Sequence, residues 1–229
     1  MKKKLVILTG AGISAESGIS TFRDANGLWE NHDIMEVASI DGWLANPKLV
    51  LDFYNVRRAQ LKDVKPNSAH VFLASLENDF DVKVITQNVD DLHERGGAND
   101  VLHLHGELRK AKSEKNDDLV LDWIDDIKLG DLASDGNQLR PDIVWFGEMV
   151  PKMEEAIEET LKADIFVVIG TSLQVYPAAS LLDYVPNDAK IICIDPNELN
   201  LPPNVYHIKK SATEGVLELA EILKEHLLK

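Results

Sequence analysis

Two histidines stand two residues apart in the segment HLHGE, residues 103–107, where they could carry out proton transfer. On a strand they would share one face, and Gly106 would end the strand and leave His105 at its carboxyl rim. Histidine is suited to proton abstraction near neutral pH, so His105 is the candidate base. For His103 we favour the alternative of a hydrogen-bonded core histidine. A metal site that combines both with His93 is conceivable, but no third-ligand spacing is recognisable.

Three polar residues, Gln87, Asn88 and Asp90, follow directly after an apolar run that ends at Thr86. Polar side chains at the carboxyl end of a strand in an open α/β sheet face the ligand crevice. The alternative is structural: Asn88 would cap a helix and Asp90 would favour its dipole. That alternative does not explain why amide and carboxylate residues crowd a single turn, so we retain this segment as a candidate binding site.

A glycine-rich turn, GAGISA at residues 10–15, follows the first apolar run. It fits the dinucleotide-binding pattern with alanine at the third small position. Glycines there let the backbone approach a pyrophosphate, whose charge is favoured at a helix N-terminus. The acidic residue expected about 20 positions later, at the end of a second strand, is missing. Glu30 and Asp33 lie in an apparent insertion instead, so the motif alone is a weak signal.

Three further segments could contact a ligand. Residues 170–172 (GTS) offer backbone amides and two hydroxyls to phosphate or ribose, and Asp195 offers a carboxylate to the hydroxyls of a ribose. The aromatic segment 143–148 (IVWFGE) could stack on a ligand or border a peptide groove. The structural alternatives are a Ser/Thr cap, an Asx turn before Pro196 and ordinary core. Most of the six segments lie at the carboxyl ends of predicted strands or in the loops that follow. A Rossmann-type binding site is built from these positions.

Short apolar runs alternate with helical patterns along the chain. Runs that are apolar on both faces predict strands of a parallel sheet. These predicted strands cover residues 4–9, 82–86, 101–104, 165–169, 190–194 and 205–208. The predicted helices cover residues 47–61, 68–77, 152–162, 178–184 and 213–228. The alternation predicts an α/β fold with a Rossmann-type, doubly wound parallel sheet.

Two segments interrupt this alternation. Residues 31–66 are helical where the second strand of the sheet belongs, and residues 109–139 are polar, rich in aspartate and weakly patterned. We expect these two insertions to form a small second domain, a helical module plus a ribbon-equivalent module. Residues 1–30, 67–108 and 140–229 would form the Rossmann domain.

The chain has 229 residues and a formal net charge of −15, which argues against a basic nucleic-acid-binding face. A single cysteine, Cys193, excludes an intramolecular disulfide and any multi-cysteine metal site. The apolar run at residues 5–8 is too short for a secretory signal, and no stretch approaches the roughly 18 apolar residues of a membrane span. We expect a soluble, cytoplasmic monomer with no nucleic-acid or membrane partner.

Taken in order, five motifs resemble those of the sirtuins, a family of NAD-dependent protein deacylases: GAGISAESGISTFR, TQNVDDLHERGG, LHGEL, RPDIVWFGEMVP and ADIFVVIGTSLQVYPAA. With the strand end at Asp195 they cover nearly the whole chain except residues 111–138. The resemblance implies that the acyl oxygen of a modified lysine attacks the ribose carbon of NAD as nicotinamide leaves. The implied products are free lysine, nicotinamide and O-acyl-ADP-ribose, and the implied partners are acylated-lysine proteins and NAD.

The resemblance also implies roles for individual residues. His105 matches the general base, which would remove a proton from a ribose hydroxyl, and Asn88 and Asp90 match the pair that orients the nicotinamide ribose and the leaving group. Phe22 would shield the oxocarbenium-like ribose from water. The implied cofactor contacts are Gly10, Ala11, Gly12, Phe22, Arg23, Gln87, Asn88, Asp90, Gly170, Thr171, Ser172, Asp195 and Ala212. The implied peptide-binding residues, which would pair along a strand edge, are Val144, Phe146, Gly147, Glu148 and Val175.

Tyr54 and Arg57 stand at i and i+3 of a predicted helix and would share one face. The pair resembles the Tyr-x-x-Arg pair of class III sirtuins, which favour succinyl, malonyl or glutaryl lysine. A guanidinium can bind the distal carboxylate in a bidentate way, and a phenol adds one donor. The resemblance implies a desuccinylase and demalonylase that also deacetylates. The alternative is an arginine solvated on the helix surface.

The chain departs from the sirtuin pattern where the family usually carries four zinc-binding cysteines. Ser113 takes the place of the first, and Leu132 and Asp135 take the places of the last pair, so a four-thiolate zinc site is excluded. Asp195 stands where many relatives have asparagine; it would repel a 2′-phosphate and favour NAD over NADP. We expect no zinc. We expect an apolar cluster in its place, formed by Leu119, Val120, Leu121, Trp123, Ile124 and Ile127.

Two alternative functions stay open at this point. One is mono-ADP-ribosyl transfer or NAD hydrolysis, in which a protein side chain or water replaces the acyl oxygen. The other is a non-catalytic NAD-sensing module. The presence of His105 favours deacylation, because a base is needed only after the first ribosyl transfer.

Overall fold

The computed structural model describes residues 2–20, 28–29 and 32–227 of the chain. Its strands are β1 (Lys4–Thr9), β2 (Leu28–Trp29), β3 (His32–Asp33), β4 (Asp81–Thr86), β5 (Val101–His103), β6 (Gly106–Ser113), β7 (Val120–Asp122), β8 (Leu139–Ile143), β9 (Ile165–Ile169), β10 (Lys190–Ile194) and β11 (Val205–Ile208). The main sheet is parallel, with the spatial order β11-β10-β9-β1-β4-β5. The order reverses between β1 and β9, and this switch point is where an open α/β sheet binds its ligands.

The helices lie on both faces of this sheet and in the first insertion. They are α1 (Gly12–Ala15), α2 (Ile34–Val37), α3 (Ile40–Ala45), α4 (Pro47–Gln60), α5 (Ser68–Ser75), α6 (Leu92–Arg95), α7 (Met153–Thr160) and α8 (Ala212–Leu227), with 3₁₀ segments at Leu76–Asn78 and Ala178–Tyr184. Proline occupies the first turn of α4, and the Asn46 side chain accepts a hydrogen bond from the Leu49 amide at 3.1 Å. Helix α4 therefore starts as its capping residues predict.

The main sheet confirms the predicted fold class. Alternate residues of its strands belong to two apolar cores, because side chains alternate between the two faces of a strand. Leu5 and Ile7 pack in one core with α5 and α8, and Val6 and Leu8 pack in the other. Both faces are covered, which explains why the central strands β1 and β9 read as nearly continuous apolar runs.

Three sequence predictions differ from the structure in detail. The segment Ala178–Tyr184 is a 3₁₀ helix, and the strand predicted to reach residue 104 ends at His103. Gly106 does not end a strand but begins β6. Its φ is +82°, and a Cβ there would lie 2.0 Å from the Asp142 carbonyl oxygen, so this position requires glycine.

The second insertion folds as a three-stranded antiparallel sheet with the order β7-β6-β8. It shares a third apolar core with α4, which includes Leu108, Ala111, Leu139 and Trp145. This core joins the two insertions of the sequence, as expected for a small second domain. The exact domain boundaries stay a prediction.

The apolar cluster expected in place of zinc does not form. Val120, Leu121 and Ile124 are 40%, 43% and 54% exposed, whereas Ile127 is buried in the third core with Trp123 packed against it. The short strand β7 lies at the edge of its sheet and turns its apolar residues to solvent. Polar contacts hold the module instead: the Ser113 hydroxyl donates to Asp135 Oδ2 at 2.7 Å.

The side-chain amide of Asn55 on α4 forms hydrogen bonds with the ribbon-equivalent module. Its Nδ2 donates to the Ile127 carbonyl oxygen at 2.9 Å, and its Oδ1 accepts from the Ile127 amide at 2.9 Å. This pair of bonds ties the backbone of Ile127, in the ribbon-equivalent module, to the helix. No helix in the described part of the chain is long and apolar enough to cross a membrane.

Candidate active site

The loops after β1 and β9 are in close contact at the switch point of the sheet. The Gly12 amide donates to the Gly170 carbonyl oxygen at 2.8 Å, and a Cβ on Gly12 would lie 2.6 Å from Gly170 Cα. Gly10 is equally confined, because a Cβ there would lie 2.7 Å from Thr171 Cβ. The glycines of the turn are thus needed to bring two loops together, a requirement that the dinucleotide pattern alone did not indicate.

The polar residues after β4 form a buried network with the glycine-rich turn. Asn88 Nδ2 donates to the Gly10 carbonyl oxygen at 3.2 Å and to Ser14 Oγ at 3.1 Å. The Ser14 hydroxyl in turn donates to Asp90 Oδ2 at 3.0 Å, while the Leu92 amide donates to Asp90 Oδ1 at 3.1 Å. The Asn88 side chain therefore faces the neighbouring loop and does not cap a helix. Asn88 and Asp90 are brought together as predicted; Ser14 joins them unpredicted.

Burial raises the pKa of Asp90 to about 6, although hydrogen bonds from the Leu92 amide and the Ser14 hydroxyl act in the opposite direction. Asp90 is only 5% exposed. A carboxyl whose pKa lies close to neutral, beside a polar crevice, is typical of a functional site.

The two histidines of the HLHGE segment bind consecutive carbonyl oxygens of the loop after β4. His105 Nδ1 lies 3.0 Å from the Gln87 oxygen, and His103 Nδ1 lies 3.0 Å from the Asn88 oxygen. A carbonyl oxygen only accepts, so Nδ1 carries the proton in both rings. In His105 this leaves Nε2 with the lone pair. Burial lowers the pKa of His105, which favours the neutral ring that a base requires.

Two more histidines lie behind this network, and sequence reasoning missed His70. The rings of His70 and His93 are both fully buried and meet edge to face, with 5.0 Å between their centroids. His93 Nε2 lies 2.9 Å from Thr9 Oγ1. Burial lowers the pKa of both rings, to about 4 for His70. The described residues contain no group of His, Cys, Asp or Glu that could hold a metal ion, so the conceivable site from His93, His103 and His105 does not form.

A cavity of about 50 Å³ opens beside the loop after β4, which contains Asn88 and Asp90. Its apolar wall comes from Ile19, Leu61, Val89 and Leu108, and its polar lining from Ser20, Arg57, Gln60 and Asp90. Arg57 is held in place, because its Nη1 donates to the Phe53 carbonyl oxygen at 2.7 Å and its guanidinium stacks 3.5 Å from the Phe53 ring centroid. Arg57 is therefore not solvated on a helix surface.

Tyr54 lies deeper than Arg57 and does not line this cavity. It is 1% exposed, and its hydroxyl oxygen accepts from Trp145 Nε1 at 3.0 Å. Burial raises the pKa of Tyr54, which keeps the phenol protonated and able to donate. The structure thus places the two residues of the predicted pair at different depths.

The predicted peptide-binding segment is anchored from within. Glu148 accepts from Arg140 at 2.6 and 3.0 Å and from the Trp145 amide at 2.8 Å, so its carboxylate supports the segment. The Val144 amide donates to the His105 carbonyl oxygen at 2.9 Å. Phe146 is 44% exposed, with Gly147 beside it at a φ of +91°. Phe146 and Gly147 are therefore the exposed residues of the segment 143–148.

The remaining predicted residues surround the switch point. Gln87 Nε2 donates to Thr171 Oγ1 at 3.1 Å, which links the loops after β4 and β9. Asp195 Oδ1 accepts from the amide and side chain of Asn197, the Asx turn considered as its alternative. The other predicted positions in this region are Ala11, Ser172, Val175 and Ala212, of which Val175 is 38% exposed and Ala212 begins α8. Phe22 and Arg23 lie outside the described residues.

Comparison with known proteins identifies the family. The family model described as "Sir2 family" matches residues 10–177. A Helicobacter pylori protein named NAD-dependent protein deacylase is 60% identical over 225 residues, covering 97% of this chain and 98% of the relative. A protein of the same name from Bacteroides thetaiotaomicron is 53% identical over 229 residues, covering 96% and 98%.

Solved structures agree with this assignment. A Sir2 homologue in complex with NAD has a TM-score of 0.87 and 40% identity, with 99% of this chain and 91% of that chain covered. A Sir2 protein with a p53 peptide and NAD+ has a TM-score of 0.78 and 30% identity, with 96% and 93% covered. The sequence resemblance is confirmed: the chain belongs to the Sir2 family.

Proposed function

We propose that this Sir2-family enzyme, an NAD-dependent protein deacylase, favours acidic acyl groups such as succinyl and malonyl on lysine and also removes acetyl. The observation that carries the acyl preference is the position of Arg57. Its guanidinium borders a small apolar cavity beside Val89 and Asp90 of the catalytic loop. A fixed cation at the end of an apolar cavity favours a chain that ends in a carboxylate.

The residues at the switch point fit NAD. Gly10 and Gly12 let the turn after β1 pack directly against Gly170 and Thr171, and the buried amide and carboxyl groups of Asn88 and Asp90 lie next to this turn. NAD, when bound, supplies an electrophilic ribose carbon and nicotinamide as leaving group. Asn88 and Asp90 orient polar groups of the cofactor, and Gln87 and Thr171 hold their loops at a fixed separation.

His105 supplies the base. Its Nδ1–H is fixed by the Gln87 carbonyl oxygen, so the Nε2 lone pair has one defined direction. The ring is neutral above its lowered pKa, and we therefore expect activity to increase as pH rises through that pKa. A base in this position favours deacylation over mono-ADP-ribosyl transfer or NAD hydrolysis, which need no proton removed from a ribose hydroxyl. It also argues against a non-catalytic NAD-sensing module.

The acidic charge of −15 supports acylated proteins over nucleic acid as partners. Cytoplasmic location and a monomeric state are parts of the same proposal, and cell fractionation and light scattering would test them.

Arg57→Met tests the acyl preference. We expect kcat/KM for a succinyl-lysine peptide to fall about 10- to 100-fold, the worth of a charge-assisted hydrogen bond, while acetyl-lysine turnover persists. Mass spectrometry of both peptides, incubated with and without NAD, measures the two rates. Arg57→Lys is the matched control, because it keeps the charge but loses the bidentate geometry and should retain part of the preference.

Deacetylation that is indifferent to Arg57, with no desuccinylation, would discard the acyl preference and leave the deacylase assignment in place. Nicotinamide release without turnover of either peptide would instead favour ADP-ribosyl transfer or NAD hydrolysis.

A further inference from the structure

His103 makes two hydrogen bonds that no part of the mechanism above uses. Its ring is 3% exposed, and its Nδ1 lies 3.0 Å from the Asn88 carbonyl oxygen. Its Nε2 lies 2.7 Å from Glu94 Oε1 on α6. The ring therefore joins the catalytic loop after β4 to the short helix that follows it.

The two partners determine the charge of this ring. A carbonyl oxygen and an ionised carboxylate both accept hydrogen bonds and cannot donate, so both ring nitrogens must carry protons. His103 is thus an imidazolium, unlike His105 on the same strand end. Burial lowers the pKa of His103, but the bonds to Glu94 and Asn88 outweigh it, and the pKa is raised above the ordinary value of 6.5.

Other charged groups near the ring act more weakly. Glu107 on β6 adds a smaller attraction to His103. Asp90 in the catalytic loop and His93 on α6 are influenced by its charge in return. Glu94 is the only one of these four with a hydrogen bond to His103 among the described residues, so it dominates the protonation of the ring.

We propose that protonated His103, paired with Glu94, is a positioning residue that holds the Asn88 backbone for catalysis, and that loss of its proton sets the alkaline limit of activity. The proposal rests on the deacylase activity and not on the acyl preference. Asn88 and Asp90 share Ser14 as a partner, so a displaced Asn88 carbonyl also displaces the side chains that orient the cofactor.

The direction of the pH effect follows from the bonds. A neutral ring keeps one N–H, and the charged Glu94 is the stronger acceptor, so the Asn88 carbonyl oxygen loses its donor. His105 must be neutral to act as base, whereas His103 must be charged to hold the loop. Because the pKa of His105 is lowered and that of His103 is raised, the two requirements overlap in a window near neutral pH. We therefore expect a bell-shaped profile with His103 on its alkaline side.

Glu94→Gln tests the assignment in the full-length enzyme. The variant removes the negative charge, and its amide NH2 can donate to a deprotonated Nε2. The neutral ring would then keep its Nδ1–H on the Asn88 carbonyl oxygen, so the alkaline limb of kcat should be lost. The readout is NAD-dependent deacetylation of an acetyl-lysine peptide from neutral to alkaline pH, with nicotinamide release followed in the same samples. Glu107→Gln is the matched control and should keep the limb.

His103→Asn provides the complementary test. Asparagine places an amide donor near the former Nδ1 but does not titrate, so the alkaline limb should disappear while kcat falls and the KM for the peptide stays close to wild type. Glu94 is 40% exposed, and Glu94→Gln therefore keeps the proposal testable if His103→Asn folds poorly. An alkaline limb that is missing in the wild type, is unchanged in both variants, or changes equally in Glu94→Gln and Glu107→Gln would overturn the proposal. A missing succinyl preference would leave it intact.

Discussion

At the scale of single residues, one buried hydrogen bond joins helix α4 to the segment 143–148, which we predicted to bind the peptide. The indole Nε1–H of Trp145 donates to the Tyr54 hydroxyl oxygen. Trp145 is itself fixed from two sides, because the Arg140 guanidinium stacks 3.4 Å from its ring and Glu148 accepts from its backbone amide. An indole N–H only donates, so the phenol must accept here and keep its own proton for another acceptor. The bond therefore sets the orientation of the Tyr54 hydroxyl.

Trp145→Phe should show how much this hydrogen bond contributes to the free energy of unfolding. The variant keeps an aromatic ring under Arg140 but takes the donor from a buried phenol, and we expect the free energy of unfolding to fall by about 1–3 kcal/mol. Urea denaturation measures it. Trp43→Phe is the control, because Trp43 is equally buried but its Nε1 makes only a 3.4 Å contact to Glu114.

The double variant Tyr54→Phe/Trp145→Phe completes a cycle. If the bond is worth what we expect, the double variant is less destabilised than the sum of the single variants. Strict additivity, or an equal loss in Trp43→Phe, would show that only ring packing matters at Trp145.

The sequence indicated the candidate catalytic residues, but it did not indicate the residues that support them. His105, Asn88 and Asp90 follow predicted strands, and strand ends of a parallel sheet meet at one edge. Ser14 and His70 gave no comparable signal, because a serine in a glycine-rich turn and a histidine on a helix are common in any fold. Ser14 is buried and donates to Asp90, and the buried ring of His70 lies 3.5 Å from Ser14 Oγ. These contacts are properties of the tertiary structure.

At the scale of secondary-structure elements, predictability followed burial. Strands β1, β9 and β10 coincide with their predicted ranges, because a strand buried on both faces reads as an unbroken apolar run. The edge strand β11 also coincides with its predicted range, although it is only partly buried. The antiparallel strands β6 and β8 escaped prediction, because β6 contains Arg109, Lys110 and Lys112 and β8 contains Pro141. Their pairing depends on partners distant in sequence, which local patterns do not show.

Asn55→Ala should loosen the ribbon-equivalent module from α4. The change removes both bonds to the Ile127 backbone and one bond from Arg58 Nη1. It leaves the Ile127 N–H and carbonyl groups without their side-chain partner. We expect a loss of about 2–3 kcal/mol in the free energy of unfolding and faster proteolysis within residues 114–138. Asp52→Ala on the exposed face of the same helix should change either measurement little, since surface ion pairs contribute at most about 1 kcal/mol.

Faster proteolysis without a change in unfolding free energy would mean that the module opens locally and contributes nothing to global stability. Unchanged behaviour in both measurements would contradict the role assigned to Asn55.

At the scale of the whole molecule, three apolar cores surround the active site. Two cover the faces of the parallel sheet, and the third joins the insertions that flank the catalytic loop. The third core includes Phe53 and Tyr54 of α4, the helix that also carries Arg57. The cavity beside Arg57, which we propose as the acyl site, therefore lies where the third core meets the loop after β4, and its shape depends on how the insertions pack.

This arrangement predicts that the fold does not depend on metal. A structural zinc site in small domains contributes about 10–16 kcal/mol of apparent binding free energy, so its removal unfolds the module that it holds. Here the third core, the Asn55 bonds to Ile127 and the bond between Ser113 and Asp135 hold the corresponding module. Incubation with a strong chelator should therefore leave Tm and the deacylase rate unchanged.

Differential scanning calorimetry and metal analysis of the purified protein measure the two sides of this prediction. A zinc-binding sirtuin treated in parallel shows that the chelator is effective. One zinc per chain, or a Tm that falls on chelation, would show that ligands other than cysteine bind metal in this molecule. An unchanged Tm would mean that packing and hydrogen bonds maintain the structure around the cavity beside Arg57 without a metal crosslink.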